Sequence, residues 1–367
     1  MKTVKFFSLL LALFCFLPSI LFPTSAVSVS AASAILYEPS TNLVLFEKDA
    51  DQRRPMASTT KIITALVALD VLSKDEEIKV PKAAVGVEGT STYLEEGEIL
   101  TLENLLYALL LQSANDAAVA IAIACDGSVE KFAERMNALA CRLDLKDTHF
   151  TNPHGLPDKD HYTTARELAI LTAEALKNPL IKTIVSTEKK AFSSSHRSRV
   201  LTNHNKLLRL YDNAVGVKTG FTKTAGRCLV GAAEVGGMTL ISVTLKAGDD
   251  WNDHISLFEE GFSTYHRNTV VRSGEIEWRL PVINGSVPFV DISNEMGYSV
   301  IEKRNSASYT VSLDIPALPV APIERGDILG YLCIYKEDKE VERLPLKADF
   351  SVLTAFKPKR RLFSFFQ

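Results

Sequence analysis

The stretch GVKTGFTKTAGRCLVGAAE, residues 216–234, decides how this chain is read. Its second half, GRCLVGAAE, has the continuous apolar character of a buried strand. Lys218, Thr219 and Gly220 stand at the threshold of that strand. Lysine and glycine both disfavour strand interiors, so the triplet lowers stability unless a cation and an approachable backbone are needed there. By average composition a K-T-G triplet arises by chance about 0.1 times in a chain of this length. It therefore marks a site only if partners exist elsewhere.

The chain around it has 367 residues, 46% of them hydrophobic, with a formal net charge of −3. That is enough for a full core and for two domains. The absence of a global basic field excludes nucleic acid as a partner. Lys2 and Lys5 precede the apolar run FFSLLLALFCFLPSILF and the small-residue stretch PTSAVSVSAASA, which together read as an export signal over residues 1–31. The small-x-small rule fits cleavage after Ala26 or after Ala31. The reading places the mature protein outside the cytoplasmic membrane. Cys125, Cys141, Cys228 and Cys333 would remain, in no framework spacing, and Cys125 and Cys228 sit in apolar runs as buried thiols. No cysteine, histidine or carboxylate pattern has metal-ligand spacing, so no metal and no cofactor are expected.

Two apolar runs flanking Pro39–Asn42 predict a β-hairpin. Helices are predicted in STTKIITALVALDVL, TLENLLYALLLQ, DAAVAIAIAC, SVEKFAERMNALACRL and TTARELAILTAEALK, the last opened by Thr163 or Thr164 with Glu167 in capping-box position. GRCLVGAAE and MTLISVTLKAG predict antiparallel strands joined through Gly236 and Gly237, followed by the helix NDHISLFEEGFSTY. From about residue 269 short alternating runs predict an all-β domain. The first domain, over 32–268, is then α/β or α+β, helices around an antiparallel sheet; a β-sandwich-like domain over 269–350 and a basic, aromatic tail over 351–367 follow, and the chain as a whole is assigned to the α+β class.

A nucleophile to accompany Lys218 is found in ASTTKI. Ser58 and Lys61 lie one helical turn apart on one face, within reach of each other. A buried lysine near a second cation loses its proton readily, and the neutral amine can deprotonate the hydroxyl. Ser128 with Lys131 and Ser186 with Lys189 have the same spacing, but only Ser58 opens a fully apolar helix, with its backbone N–H free as an oxyanion donor. The third element is Ser113 and Asn115 in LLLQSANDAAVAIA, a polar loop between apolar helices. Taken alone, Ser113 or Asp116 reads as a helix cap. The S-x-N spacing of Ser40 and Asn42 falls in the hairpin turn. His154 in NPHGLP reads as a loop-fixing residue rather than a base, because Lys61 fills that role.

In this order S-x-x-K, S-x-N and K-T-G resemble the penicillin-recognising serine enzymes. MASTTKIITALVAL, LLLQSANDAAVAIA, FTNPHGLPDKDHYTTARELA and GVKTGFTKTAGRCLVGAAE are similar to the low-molecular-mass D-alanyl-D-alanine carboxypeptidases, a likeness spanning nearly all of residues 32–268 and continuing weakly through residues 321–348. The resemblance implies a serine β-lactamase/transpeptidase-like catalytic domain that removes the terminal D-alanine from peptidoglycan stem peptides and is inhibited by β-lactams; a β-lactamase and a penicillin sensor or wall-binding module are the rival readings. It implies Ser58 as acylated nucleophile, Lys61 as general base, Ser113 as proton relay and Asn115 as ligand of the substrate amide. Lys218 would supply positive potential, Thr219 would bond the terminal carboxylate and Gly220 would let the peptide lie against the strand. The N–H groups of Ser58 and Phe221 would form the oxyanion hole. Two departures stand out. Some relatives carry an arginine in the loop beyond the next strand, where AGDDWNDH here offers Asp253 and His254. Relatives also often end in a long amphipathic anchor, where KPKRRLFSFFQ is too short to span a bilayer and suited at most to peripheral contact with an anionic interface.

Overall fold

The structure is a computed structural model that describes residues 27–355 apart from position 316. Residues 1–26, which hold most of the expected export signal over 1–31, and most of the basic, aromatic tail lie outside the described residues.

The chain opens with the hairpin β1 (Ser33–Glu38) and β2 (Leu43–Lys48), then a single 3-10 turn (Ala57–Thr60) that runs into α1 (Lys61–Val71). A small ribbon, β3 (Glu77–Lys79) with β4 (Ile99–Thr101), leads to α2 (Leu102–Leu111), α3 (Asn115–Asp126) and α4 (Val129–Arg142). Next come α5 (Ala165–Leu176), α6 (Pro179–Ser186), the hairpin β5 (Lys189–Ser193) and β6 (Ser198–Thr202), and the one-turn α7 (Leu207–Leu210). The strands β7 (Ala214–Thr222), β8 (Gly226–Val235) and β9 (Met238–Ala247) precede α8 (Asp250–Thr264). The remaining strands are β10 (Tyr265–Val271), β11 (Glu277–Pro281), β12 (Phe289–Asn294), β13 (Tyr298–Lys303), β14 (Tyr309–Asp314), β15 (Ile328–Lys336) and β16 (Lys339–Ala348).

The main sheet is antiparallel, in the order β2-β1-β9-β8-β7. Both faces are covered. Ile35, Val230, Ile241, Val243 and Leu245 face the helical cluster of α1, α2, α3 and α5, while Leu36, Leu229, Leu240, Phe258 and Phe262 form a second core beneath α8. Burial on both sides explains why β8 and β9 read as continuous apolar runs instead of alternating ones. The predicted hairpin, the five named helices and the Gly236–Gly237 turn are all present. Thr164, rather than Thr163, caps α5 by accepting from the Glu167 N–H at 3.1 Å. Glu167 does not complete the capping box. Its carboxylate instead accepts from the Asp147 N–H at 2.9 Å and the Thr148 hydroxyl at 2.5 Å, tying a loop to the helix.

K-T-G lies inside a strand of its own, β7, and not in a lead-in to β8. Because β7 ends the sheet, its outer backbone groups have no strand beside them, which is where a cation and a glycine are tolerated. Among the described residues from 265 to 355 the regular structure is all β, with the sheet β11-β12-β16-β15-β14, the ribbon β10-β13 and a separate core around Val290, Ile292, Leu332, Ile334 and Leu346.

The two residues found in place of an arginine have structural work. Asp253 accepts from the Ser30 N–H and hydroxyl, both at 2.8 Å, and from the Ala31 N–H at 3.1 Å, clasping the N-terminal segment to α8. His254 is buried between the Ser242 hydroxyl at 2.5 Å and the Thr244 hydroxyl at 2.9 Å, and burial lowers its pKa to about 3, so it is neutral. Neither points charge at a ligand. Cys125, Cys141, Cys228 and Cys333 are all free; Cys228 is buried and Cys125 partly so, while Cys141 is exposed.

Candidate active site

Ser58 sits in the 3-10 turn rather than at the first position of an α-helix, which begins at Lys61. Ala57 enters the turn at φ 48°, a left-handed conformation that costs a non-glycine residue about 1 kcal/mol or more. The surroundings hold it there. The Thr60 hydroxyl donates to the Ala57 carbonyl at 2.8 Å and lies 2.8 Å from His161 Nε2. His161 Nδ1 accepts from the Thr151 N–H at 3.1 Å, which assigns the ring proton to Nε2. Burial first of all lowers the His161 pKa to about 4, so the ring stays neutral and the chain His161–Thr60–Ala57 persists at neutral pH.

Lys61 is among the largest fully buried side chains of the described core. Its Nζ lies 3.0 Å from Ser58 Oγ, 2.7 Å from Asn115 Oδ1 and 2.6 Å from the His154 carbonyl oxygen. Burial pushes its pKa well below the ordinary lysine value, and the nearby charge of Lys218 pushes it further; Asp116 opposes them. A neutral amine has two hydrogens and one lone pair. The two carbonyl oxygens can only accept, so they take the two N–H bonds. The lone pair is left facing the Ser58 hydroxyl, the arrangement a general base requires.

Asn115 opens α3, and its amide is shared between Lys61 and the Glu88 carbonyl, to which Nδ2 donates at 2.6 Å. Neither Ser113 nor Asp116 caps α3; the N-cap is Ala114. Asp116, read in the sequence only as a possible helix cap, has a role that sequence reasoning missed. Its buried carboxylate accepts from the Ser91 hydroxyl at 2.6 Å and from the N–H groups of Thr92 at 3.1 Å and Leu94 at 3.0 Å, pinning that loop beside the site. The signal for it was an acidic residue, directly after Asn115, in an otherwise apolar helix.

Lys218 is buried on β7, donates to the Thr219 carbonyl at 2.9 Å and has its pKa lowered to about 7 by burial. Ser58, Ser113, Thr219, Gly220 and Phe221 line one cleft of about 540 Å³, together with Thr90, His204, Arg227, Asp250 and Trp251. Lys61, Asn115 and Lys218 lie beneath it, buried. Thus all eight residues singled out in the sequence converge, five on the wall and three below. Ser113 reaches the cleft from a left-handed backbone, φ 63°. The decoys stand elsewhere: Ser128 caps α4, Ser186 bonds the Thr183 carbonyl, and Ser40 bonds Glu38 in the hairpin turn.

Two glycines let these segments approach. A Cβ on Gly155, at φ +89°, would lie 1.9 Å from the Ala57 oxygen. His154, whose ring is held neutral chiefly by burial at a pKa of about 3, thereby brings its carbonyl to Lys61; it contributes backbone, not a catalytic ring. On Gly220 a Cβ would meet the Ser58 nitrogen at 3.0 Å and Met56 O at 3.1 Å, tighter than side chains ordinarily pack, so the missing side chain eases the close approach of β7 to the Ser58 turn. Among the described residues no group of His, Cys, Asp and Glu is arranged to hold a metal ion.

Comparison with known proteins gives consistent matches. Residues 21–249 match the family model described as D-alanyl-D-alanine carboxypeptidase, and residues 263–353 match that of the penicillin-binding protein 5 C-terminal domain. The chain is 31% identical over 336 residues to the D-alanyl-D-alanine carboxypeptidase DacF of Bacillus subtilis, covering 89% of this chain and 86% of that one. It is 31% identical over 345 residues to DacC of Escherichia coli, covering 88% and 84%. Among solved structures it is similar to penicillin-binding protein 5 of Haemophilus influenzae, with a TM-score of 0.67 and 25% identity over 90% of this chain and 99% of that one. A peptidoglycan synthesis regulatory factor, PBP3 of Streptococcus pneumoniae, gives a TM-score of 0.71 and 26% identity over 89% and 100%.

The close packing at Gly220 yields a prediction. In Gly220→Ala the turn must shift and the Ser58 N–H with it, so the rate of acylation by a fluorescent penicillin should fall about 10²-fold, the scale of losing one oxyanion donor. Thermal unfolding of the same variant should show a native fold. Acylation at the unaltered rate would mean that this contact does not set the site.

Proposed function

We propose, for a chain that belongs to the D-alanyl-D-alanine carboxypeptidase family, an acyl-transfer mechanism carried by Ser58. The protein is a serine-type D-alanyl-D-alanine carboxypeptidase acting on the cell wall. The observation that carries the residue assignment is the buried Lys61 amine, whose two hydrogens are committed to carbonyl oxygens while its lone pair faces Ser58 Oγ at 3.0 Å.

In this reading a stem peptide ending in D-Ala-D-Ala lies along the free edge of β7 as an added strand. Lys61 takes the proton of Ser58 as Oγ attacks the penultimate carbonyl. The N–H groups of Ser58 and Phe221 hold the developing oxyanion. Ser113, on the cleft wall, passes a proton to the leaving D-alanine nitrogen. The second Nδ2 hydrogen of Asn115 binds the peptide amide, and Thr219 and Lys218 face the terminal carboxylate. Water then hydrolyses the ester on Ser58. No metal or cofactor takes part. A β-lactam acylates the same serine, but its leaving group stays tethered and obstructs that water.

The catalytic domain is assigned to residues 32–268 and the β domain to 269–350, the division falling within β10. Residues 1–26 are assigned as an export signal. Of the two cleavage positions, the one after Ala26 is supported by the clasp of Ser30 and Ala31 on Asp253 and by the burial of Val29 and Ala31, all of which cleavage after Ala31 would disrupt. Peripheral membrane contact is assigned to the tail, where Lys357, Lys359, Arg360 and Arg361 precede Leu362, Phe363, Phe365 and Phe366. Among the described residues no helix is long and apolar enough to cross a membrane.

Two outcomes test the reading. A diacetyl-Lys-D-Ala-D-Ala peptide should lose D-alanine over many turnovers, while a penicilloyl adduct mapped to Ser58 decays far more slowly, and Ser58→Ala should abolish both. Rapid penicillin hydrolysis without D-alanine release, or an adduct that survives in Ser58→Ala, would contradict it. N-terminal sequencing of exported protein should begin at Val27; a start at Ala32 would contradict the cleavage assignment.

A further inference from the structure

On the reading just given, the substrate carboxylate arrives beside Thr219 and needs a cation. The obvious one is compromised. Lys218 is buried beneath the cleft, and its amine is already directed at the Thr219 carbonyl. The loop arginine of some relatives has no counterpart in residues 247–254. Yet the cleft wall does carry a cation that the motif reading passed over. Arg227 lines the cleft on β8. It stands in register with Phe221 and on the diagonal from Thr219, a separation a long side chain can bridge.

Its surroundings fix the guanidinium. Nε donates to Asp250 Oδ1 at 2.9 Å, and Nη2 donates to the same oxygen. The guanidinium carbon lies 5.9 Å from the centre of the Trp251 ring. Asp250 is 5% exposed at its side chain and Arg227 43%, so the anion is buried behind a cation that faces the cleft. One edge of the guanidinium is therefore spent on Asp250. Nη1 has no protein partner among the described residues, and its hydrogens are free for an incoming acceptor. Arginine also keeps its charge throughout the working range, unlike a buried amine.

We infer that Arg227 is the residue that receives the terminal carboxylate of the substrate, opposite Thr219, with Asp250 and Trp251 as the positioning residues that aim it. The inference rests on the carboxypeptidase reading and adds the origin of its specificity for a free C-terminus. The recognition is a charge-assisted hydrogen bond from a planar, preoriented donor. The enzyme thereby distinguishes a peptide carboxylate from a carboxamide.

The test compares diacetyl-Lys-D-Ala-D-Ala with its C-terminal amide. Arg227→Gln should lower kcat/KM for the acid roughly 10- to 100-fold, the worth of a hydrogen bond to a charged group, and change that for the amide by less than about 3-fold. Equal losses on both substrates would show that Arg227 only ties β8 to α8, overturning the inference. Removing Arg227 also unmasks Asp250, whose charge would itself repel the acid. The double variant Arg227→Gln/Asp250→Asn separates these effects: the selective deficit should persist, and recovery of the preference for the acid would mean that Arg227 merely screens Asp250. In Asp250→Asn alone the guanidinium is charged but unaimed, so the acid should lose more than the amide, by a smaller factor than in Arg227→Gln. If the unaltered protein releases no D-alanine from the acid, the carboxypeptidase reading fails; if it does and the amide is cleaved equally well, only the inference fails.

Discussion

An amine sealed away from water is the constraint on which this active site depends. A charged lysine fully buried at the foot of α1 would be costly, and a second lysine nearby raises that cost. Losing the proton relieves both. The neutral amine then needs two acceptors and something to accept from, and the fold supplies them from distant segments: Asn115 from the start of α3, the His154 carbonyl from the loop after α4, and Ser58 one turn away. The carbonyl reaches the amine because Gly155 passes under the Ala57 oxygen, and the missing side chain at Gly220 eases the approach of the β7 edge to Ser58. The two glycines and the lysine are parts of one packing problem.

Much of this was legible in the sequence, and the reason differs by element. Helices α1, α2 and α3 announced themselves because their surroundings are apolar on nearly every side. Strands β8 and β9 did so because helices cover both faces of the sheet. Seven of the eight candidate residues were legible through three short motifs whose members must be near each other in space, and Phe221 directly follows the third. What stayed hidden was non-local. Nothing adjacent to Glu98 predicts its buried pairing with Arg199, some hundred residues later in the chain, on the β6 strand beside the Tyr93 loop. The relay from His161 through Thr60 to Ala57 joins two loops of unrelated sequence. Capping signals were read one residue loosely at α5 and incompletely at α3, where the N-cap is Ala114 and Asp116 bonds the loop over residues 91–94 as well as the Ala117 N–H of its own first turn.

The charges of the cleft divide their tasks by exposure. Beneath the floor, burial weakens the two lysines as cations: the Lys61 pKa is pushed well below the ordinary lysine value, as the proposed base role requires, and Lys218, at a pKa of about 7, is a positive charge only part of the time near neutrality. At the wall, Arg227 is held by Asp250, whose side chain is almost wholly buried. In the proposed mechanism proton transfer and carboxylate recognition thus fall to different side chains. Ser113 stands on that wall with Ser58, the place the proposed mechanism needs for a proton relay to the departing amine.

The central claim is that Lys61 is neutral at working pH, and direct titration of that amine decides it. Protein carrying carbon-13 at the lysine Cε positions, with the Lys61 signal assigned by its loss in Lys61→Arg, can be followed by NMR as pH is raised. The account predicts that the Lys61 signal changes to the neutral form well below the ordinary lysine value of about 10.4, and that acylation of Ser58 rises over the same interval. A Lys61 signal that titrates at or above that value, with acylation already complete at neutral pH, would contradict it.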